Sequence, residues 1–252
     1  MGPGSVDAVH LIAEAQRLAY ADRAAYMADA DFVDVPLAGM LDRGYLASRA
    51  KLIDTTRAMG VPQAGQPPGC CKGPRLASGL QREEAGTSQI SIVDARRRAV
   101  SMTPTIESAF GRHLMVRGFL LSNHISDFSF VPAGSDAAPV ANRVEGGKRP
   151  RSSMTPVLVF GDGMRLDAVD LPNFGAEASA TTFLERGSAA AAFADPLRAR
   201  GHAVAIVDQN SGLHGIVRRV ARREGYWGLL RSEDSGWSGG ADPRREGIAA
   251  GK

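Results

Sequence analysis

The chain is 252 residues long and has only two cysteines, Cys70 and Cys71, which are adjacent. Neighbouring cysteines rarely bridge each other, because a disulfide wants Cα atoms about 5.5 Å apart in a suitable orientation. With no second pair, neither a disulfide framework nor a cysteine zinc site follows. Charge of one sign is also scarce. Thirty Lys and Arg against 27 Asp and Glu leave a net charge of +3, too little to indicate a nucleic-acid partner. The clusters Arg96 to Arg98, Arg218-Arg219 and Arg222-Arg223 have no interleaved aromatics to make a stacking surface, and read as solvated turns and loops. No apolar run approaches the ~18 residues of a membrane helix. Met1 to Val6 has neither a charged n-region nor an apolar h-region, so no signal peptide is expected, and Val6 stands where a myristoylation signal wants Ser or Thr. HExxH and P-loop motifs are absent, as is any internal repeat.

What remains is ordinary globular material. Hydrophobic residues make up 44% and charged residues 23%, enough for a sizeable core, while 29 Gly and 14 Pro point to plentiful loops. The pattern predicts a helix over 6–28, with Ser5 as N-cap and Leu11, Ala15, Leu18 and Ala25 on the apolar face between Glu14, Arg17 and Asp22. A short helix is expected over 42–53. Residues 60–80, rich in Gly and Pro, read as an exposed, mobile loop. The period then changes from 3.6 to 2. Ile90 and Ile92, a turn over 94–98, and a return strand through Thr105 form a hairpin, although the turn lacks the Gly that favours a tight type I′ turn. Further strands are expected over 119–121, 155–160 and 203–207, an Ala-rich helix over 181–200, and a loose tail from Ser232. Helix first and strands after is an α+β pattern.

One place on the chain offers chemistry. Gly86-Thr87-Ser88 puts a small residue and two hydroxyls at the start of a strand. Cleavage before Thr87 would free an α-amine of pKa ~7.7–8.0 beside the hydroxyl, able to act as its general base. The same residues also fit an ordinary strand threonine.

The order of motifs adds to this. His10 to Arg23 (HLIAEAQRLAYADR) and Asp31 to Pro36 resemble a large-subunit helix of the γ-glutamyltranspeptidases (glutathione hydrolases) and the stretch that follows it. Thr87 to Asp94 resembles the start of that family's small subunit. Thr103 to Gly111, Gly118 to Ser129, Lys148 to Pro156, Leu171 to Gly175, Ser211 to Gly215 and Ala241 to Glu246 continue the resemblance in order. It implies an N-terminal-nucleophile hydrolase: an α+β, four-layer αββα sandwich, here incomplete. It also implies a large-subunit-like region over 1–86 and a small-subunit-like region over 87–252.

The implied chemistry is acyl transfer. Thr87 corresponds to the nucleophile and Thr105 to the Thr that hydrogen-bonds it. Glu107, at a position often Asn, and Asp127 correspond to residues at the substrate's α-amino end, and His124 stands where Gln is common. Ser152 and Ser153 correspond to the pair that binds the α-carboxylate. Each also fits a plainer role: Asp127 a turn cap, the two serines a loop, Thr105 a strand position. The resemblance implies a γ-glutamyl substrate such as glutathione, with water or an amino acid as acceptor. No cofactor, metal, nucleic acid or membrane is implied. A complementary chain, or the cleaved subunit pair, stays open as partner. So does the compartment, since members are commonly periplasmic or extracellular.

Set against the family, the chain is expected to start near the middle of the precursor, without the Arg that clamps the α-carboxylate. The Pro-Gly-Gly-Ser stretch, whose N–H groups form the oxyanion hole, is expected to be deleted where Phe160 to Leu166 runs into Asp167 to Gly175. One lost oxyanion donor costs about 10²–10³ in rate, so little or no turnover is expected. Two other readings stand beside the enzyme: a non-catalytic remnant or binding subunit, and a related acylase acting on a glutaryl side chain.

Overall fold

The computed structural model describes residues 4–70, 77–79, 87–96, 98–108, 110–158, 172–209, 213–219 and 236–241. The chain divides into two units. The first comprises 1–84, 123–153 and 172–209, and the second 85–122, 154–171 and 210–252.

In the first unit, helix α1 (Val6–Tyr26) starts where Ser5 accepts a hydrogen bond from the Ala8 N–H. Its buried face differs from the expected one. Val9, Ala13, Leu18, Ala21 and Ala25 are buried, but so are His10, Glu14, Arg17 and Asp22, while Leu11 is half-buried and Ala15 exposed. The charged residues that looked like the solvent face are interior, and each has partners there.

Helices α2 (Leu37–Met40) and α3 (Arg43–Ala50) follow, the latter capped by Asp42, which accepts from the Tyr45 N–H at 2.8 Å. Asp22 on α1 ties this region down. It accepts from the Tyr45 hydroxyl at 2.7 Å, Arg49 at 3.1 Å and the Gly65 N–H at 2.8 Å. The expected loose loop is therefore partly packed. Pro62 and Pro67 are buried, the Gly65 carbonyl accepts from Tyr26, and a Cβ at Gly65 would collide with the Tyr45 hydroxyl.

The sheet of this unit is β5 (Phe174–Ala176), β6 (Thr181–Glu185) and β7 (Ala203–Val207), ordered β5-β6-β7, with β5–β6 antiparallel and β6–β7 parallel. The expectation of helix throughout 181–200 is corrected at its first five residues. Thr181, Thr182 and Phe183 favour a strand, and the parallel register Thr182↔Val204, Leu184↔Ile206 holds them there. Helical structure starts only after Gly187. Ser188 then caps a 3-10 turn over Ala189–Phe193, which runs into α4 (Ala194–Ala199). Val9, Leu184, Ala194 and Leu197 form the buried cluster between α1, α4 and the sheet.

The second unit is built of ribbons. β1 (Ile90–Val93) pairs antiparallel with β2 (Ala99–Met102), and β3 (Met115–Val116) with β4 (Phe119–Leu120). Asp94 replaces the absent turn glycine. Its side chain accepts from the N–H groups of Arg96 and Arg98, both at 2.9 Å, an Asx-type turn. β8 (His214–Arg219) pairs with β9 (Gly236–Ala241), so part of the tail expected to be loose is a strand. Residues 155–158 carry no regular structure where a strand was expected. Arg222-Arg223, the junction at 159–171 and the motif residues 211, 212 and 242–246 lie outside the described residues. Among the described residues, no helix is long and apolar enough to cross a membrane.

Candidate active site

Three of the expected site residues lie in the second unit. Thr87 forms an isolated antiparallel bridge with Thr105, reinforced by Ser88 N–H donating to the Pro104 carbonyl at 3.0 Å. This places the Thr87 hydroxyl 3.2 Å from the Thr105 hydroxyl, to which it donates. Thr105 Oγ1 also accepts the Glu107 N–H at 2.9 Å. Glu107 is buried and has φ +74°, the left-handed region that a glutamate rarely occupies and an asparagine tolerates better. Backbone strain of this kind persists where the surroundings over-determine it, commonly at functional sites.

Neighbouring groups hold the strand that carries Thr87. Gln89 accepts from Thr103 and donates to Ser101 at 2.9 Å, and its carbonyl accepts from His214 Nδ1 at 2.6 Å.

The other four residues lie in the first unit. A 3-10 turn, His124–Asp127, carries His124 and Asp127, whose side chains meet at 3.0 Å. Asp127 is buried, and its carbonyl accepts from Asn142, itself fully buried. Asn142 Oδ1 accepts the Arg151 N–H at 3.1 Å. Arg151, also buried, donates to the Arg23 carbonyl on α1 at 2.9 Å. The backbone just before Ser152 and Ser153 is thus anchored to both the Asp127 turn and α1. Ser152 lies 3.5 Å from His124 Nε2, and Ser153 accepts a hydrogen bond from Arg23. The sequence reading missed Asn142, Arg151 and Arg23. The available signal was the run of basic residues directly before the serine pair.

Among the described residues of this unit, His10, Glu14 and His202 offer ligand atoms within 4.8 Å of one another. The arrangement does not fit a cation. His10 Nε2 faces the Asp54 carbonyl at 2.7 Å and so carries its proton, which leaves Nδ1 to accept. His202 Nε2 donates to it at 2.6 Å, closer than the about 3.3 Å between two nitrogens on one tetrahedral zinc. His202 Nδ1 in turn faces Thr182 at 2.8 Å and Arg17 at 3.2 Å. Arg17 also pairs with Glu14, whose other oxygen accepts the Met59 N–H. The cluster is a closed hydrogen-bond chain with a fixed cation of its own.

Burial, followed by the nearby Arg17 guanidinium, lowers the His202 pKa from 6.5 to about 4. The unfolded chain therefore binds more protons below the ordinary value. The stabilisation is complete above about pH 6.5 and is lost as pH falls toward about 4. Urea unfolding across that range should show this slope, and His202→Gln should flatten it.

The description "Gamma-glutamyltranspeptidase" belongs to the family model that matches residues 1–166. The glutathione hydrolase proenzyme of Bacillus subtilis (strain 168) is 37% identical over 168 residues, 64% of this chain and 28% of that one. The acylase ACY 1 proenzyme of Pseudomonas sp. (strain SE83) is 35% identical over 174 residues, 68% of this chain and 28% of that one. The chain thus spans less than a third of the length of these relatives. Among solved structures, the cephalosporin acylase from Bacillus halodurans is similar with a TM-score of 0.71 and 20% identity, over 99% of this chain and 46% of that one, a likeness of fold.

Proposed function

The chain belongs to the γ-glutamyltranspeptidase family, and on that premise we propose that it cleaves itself before Thr87 and then transfers γ-glutamyl groups from amides such as glutathione. Its fold is the α+β fold of the N-terminal-nucleophile hydrolases. The observation that carries the proposal is the Thr87–Thr105 hydroxyl pair on a bridge at the start of the small-subunit-like segment.

Hydrolysis of the Gly86–Thr87 peptide bond frees the Thr87 α-amine. That amine takes the proton of the Thr87 hydroxyl as Oγ1 attacks the γ-carbonyl carbon. Thr105 Oγ1 orients the nucleophile, its own position pinned by the Glu107 N–H. The γ-amide nitrogen leaves with the proton, and water or an amine then attacks the ester and regenerates the hydroxyl. Asp127 takes the substrate α-ammonium, Glu107 and His124 help hold that end, and Ser152 and Ser153 donate to the α-carboxylate. Without the Gly-Gly oxyanion donors, each worth about 10²–10³, turnover is slow.

The glutaryl acylase reading has the Pseudomonas acylase likeness behind it. The Asp127 carboxylate favours the first reading, since a γ-glutamyl group brings an ammonium that can pair with it and a glutaryl group does not. Release of nitroaniline from γ-glutamyl-p-nitroanilide and from glutaryl-p-nitroanilide separates the two. Faster release from the γ-glutamyl compound is expected, with Asp127→Asn removing the preference. Release from neither compound would support the non-catalytic remnant.

A further inference from the structure

Within the second unit, the residues just after Thr87 are held by two different partners. Ser88 gives its N–H to the Pro104 carbonyl at 3.0 Å. The Gln89 carbonyl, one residue on, is taken instead by Nδ1 of His214, the first residue of β8, at 2.6 Å. Ser91 returns the contact, donating from Oγ to the His214 carbonyl at 3.1 Å. β1 and β8 belong to separate ribbons, so among the described residues these side-chain bonds join them where no ladder does. A carbonyl only accepts, so Nδ1 carries the ring proton and Nε2 is left as an acceptor. Nε2 is buried and has no partner among the described residues. The half-buried ring is therefore held through its bond to Gln89.

We infer that His214 is a positioning residue for Thr87, acting through the Gln89 carbonyl both in self-cleavage and in attack on the γ-glutamyl amide. The physical reason is what cleavage does to the strand. While the Gly86–Thr87 bond is intact, the chain holds Thr87 from both sides. Once it breaks, Thr87 is a chain terminus, and termini are poorly ordered unless tied down. The ties on this one are few. Thr87 sits on an isolated bridge with Thr105, and the regular pairing of β1 with β2 begins only at Ile90. Without His214 the Gln89 carbonyl would lose its donor, and an unsatisfied backbone acceptor is costly. His214 supplies that donor two residues from the nucleophile, independently of the Thr105 bridge. A misplacement of about 1 Å can cost about 10²-fold in rate, so a bond that keeps the terminus in place acts on turnover. His214 touches no substrate group and moves no proton in this scheme.

That role for His214 rests on the reading proposed above, and two readouts on the full chain separate them. Self-cleavage is timed on denaturing gels after cell-free synthesis, and kcat and KM are measured with γ-glutamyl-p-nitroanilide. In His214→Ala, the cleavage rate and kcat should both fall about 10–100-fold, with KM changed by less than about twofold. Asn carries an amide N–H on the atom that replaces Nδ1, whereas Gln carries it one bond farther out. His214→Asn should therefore recover most of both rates, and His214→Gln little of either. Urea unfolding shows which variants fold, and the Asn and Gln variants carry the comparison if the Ala variant does not. Native rates in folded His214→Ala, equal rates in the Asn and Gln variants, or a loss confined to KM overturn the assignment and leave the γ-glutamyl reading intact. A native chain that cleaves itself but releases no nitroaniline overturns the γ-glutamyl reading, and the cleavage rates alone then decide the role of His214. A native chain that does neither overturns both.

Discussion

Replacing Thr87 by Ala is expected to leave the chain as one band at 26.6 kDa and to remove γ-glutamyl release altogether. The native chain should instead give fragments of about 9 and about 17.5 kDa, the smaller ending at Gly86 and the larger starting at Thr87. The effect is large because alanine removes the oxygen proposed to attack. On the proposed mechanism the Thr87 hydroxyl, which donates to Thr105, is also the nucleophile, so both steps would stop together. A drop of at least about 10³-fold in nitroaniline release is the expected scale. Thr87→Ser keeps an oxygen and should retain cleavage. Thr105→Val keeps the nucleophile but loses its orienting oxygen, and should slow release by about 10–100-fold without abolishing it. N-terminal sequencing of the larger fragment identifies the bond broken. A chain that stays whole in both native and Thr87→Ala forms would leave the non-catalytic remnant as the surviving reading.

The second large effect concerns the fold. Glu14→Ala or Arg17→Ala is expected to cost about 3–5 kcal/mol, because each leaves its partner charged, buried and unpaired. Both side chains are fully buried. Arg17 donates to the Ser179 and Ala180 carbonyls and to the Thr182 hydroxyl as well as to Glu14, so it joins α1 to β6 and the turn before it. Glu14 reaches the Met59 N–H and so joins α1 to the segment after α3. Removing Arg17 strands those acceptors, and removing Glu14 leaves the guanidinium facing only neutral groups and His202. The double replacement Glu14→Ala with Arg17→Ala should cost less than the sum of the two single changes, since no unpaired charge remains. Urea unfolding of the native chain, the single variants and the double variant measures the coupling. Additive losses would show that the pair acts as two independent residues.

Local features were legible in the sequence because neighbours along the chain satisfy them. Ser5 and Asp42 cap helices through N–H groups three residues on, and alternation marked the 90–102 hairpin. The motif order was legible for a different reason, since it records ancestry. It brought out Thr87, Thr105, Asp127 and the serine pair, along with the family.

The charge on α1 was misread for want of distant partners. Helical spacing alone gives Glu14, Arg17 and Asp22 the pattern of a solvated face. They are buried because the acceptors for Arg17 lie more than 160 residues away, and those for Arg49 and Tyr45 converge on Asp22.

By itself, then, the sequence determined the family and the α+β class, since motif order and short-range hydrogen bonds need no folded context. The tertiary structure decided which strands form at 181–185 and 236–241, because a strand exists only when another segment pairs with it, here β7 and β8. It also decided which arginine meets Ser153. A side chain's partner depends on where two distant segments meet, and Arg23 and Ser153, 130 positions apart, meet only in the fold.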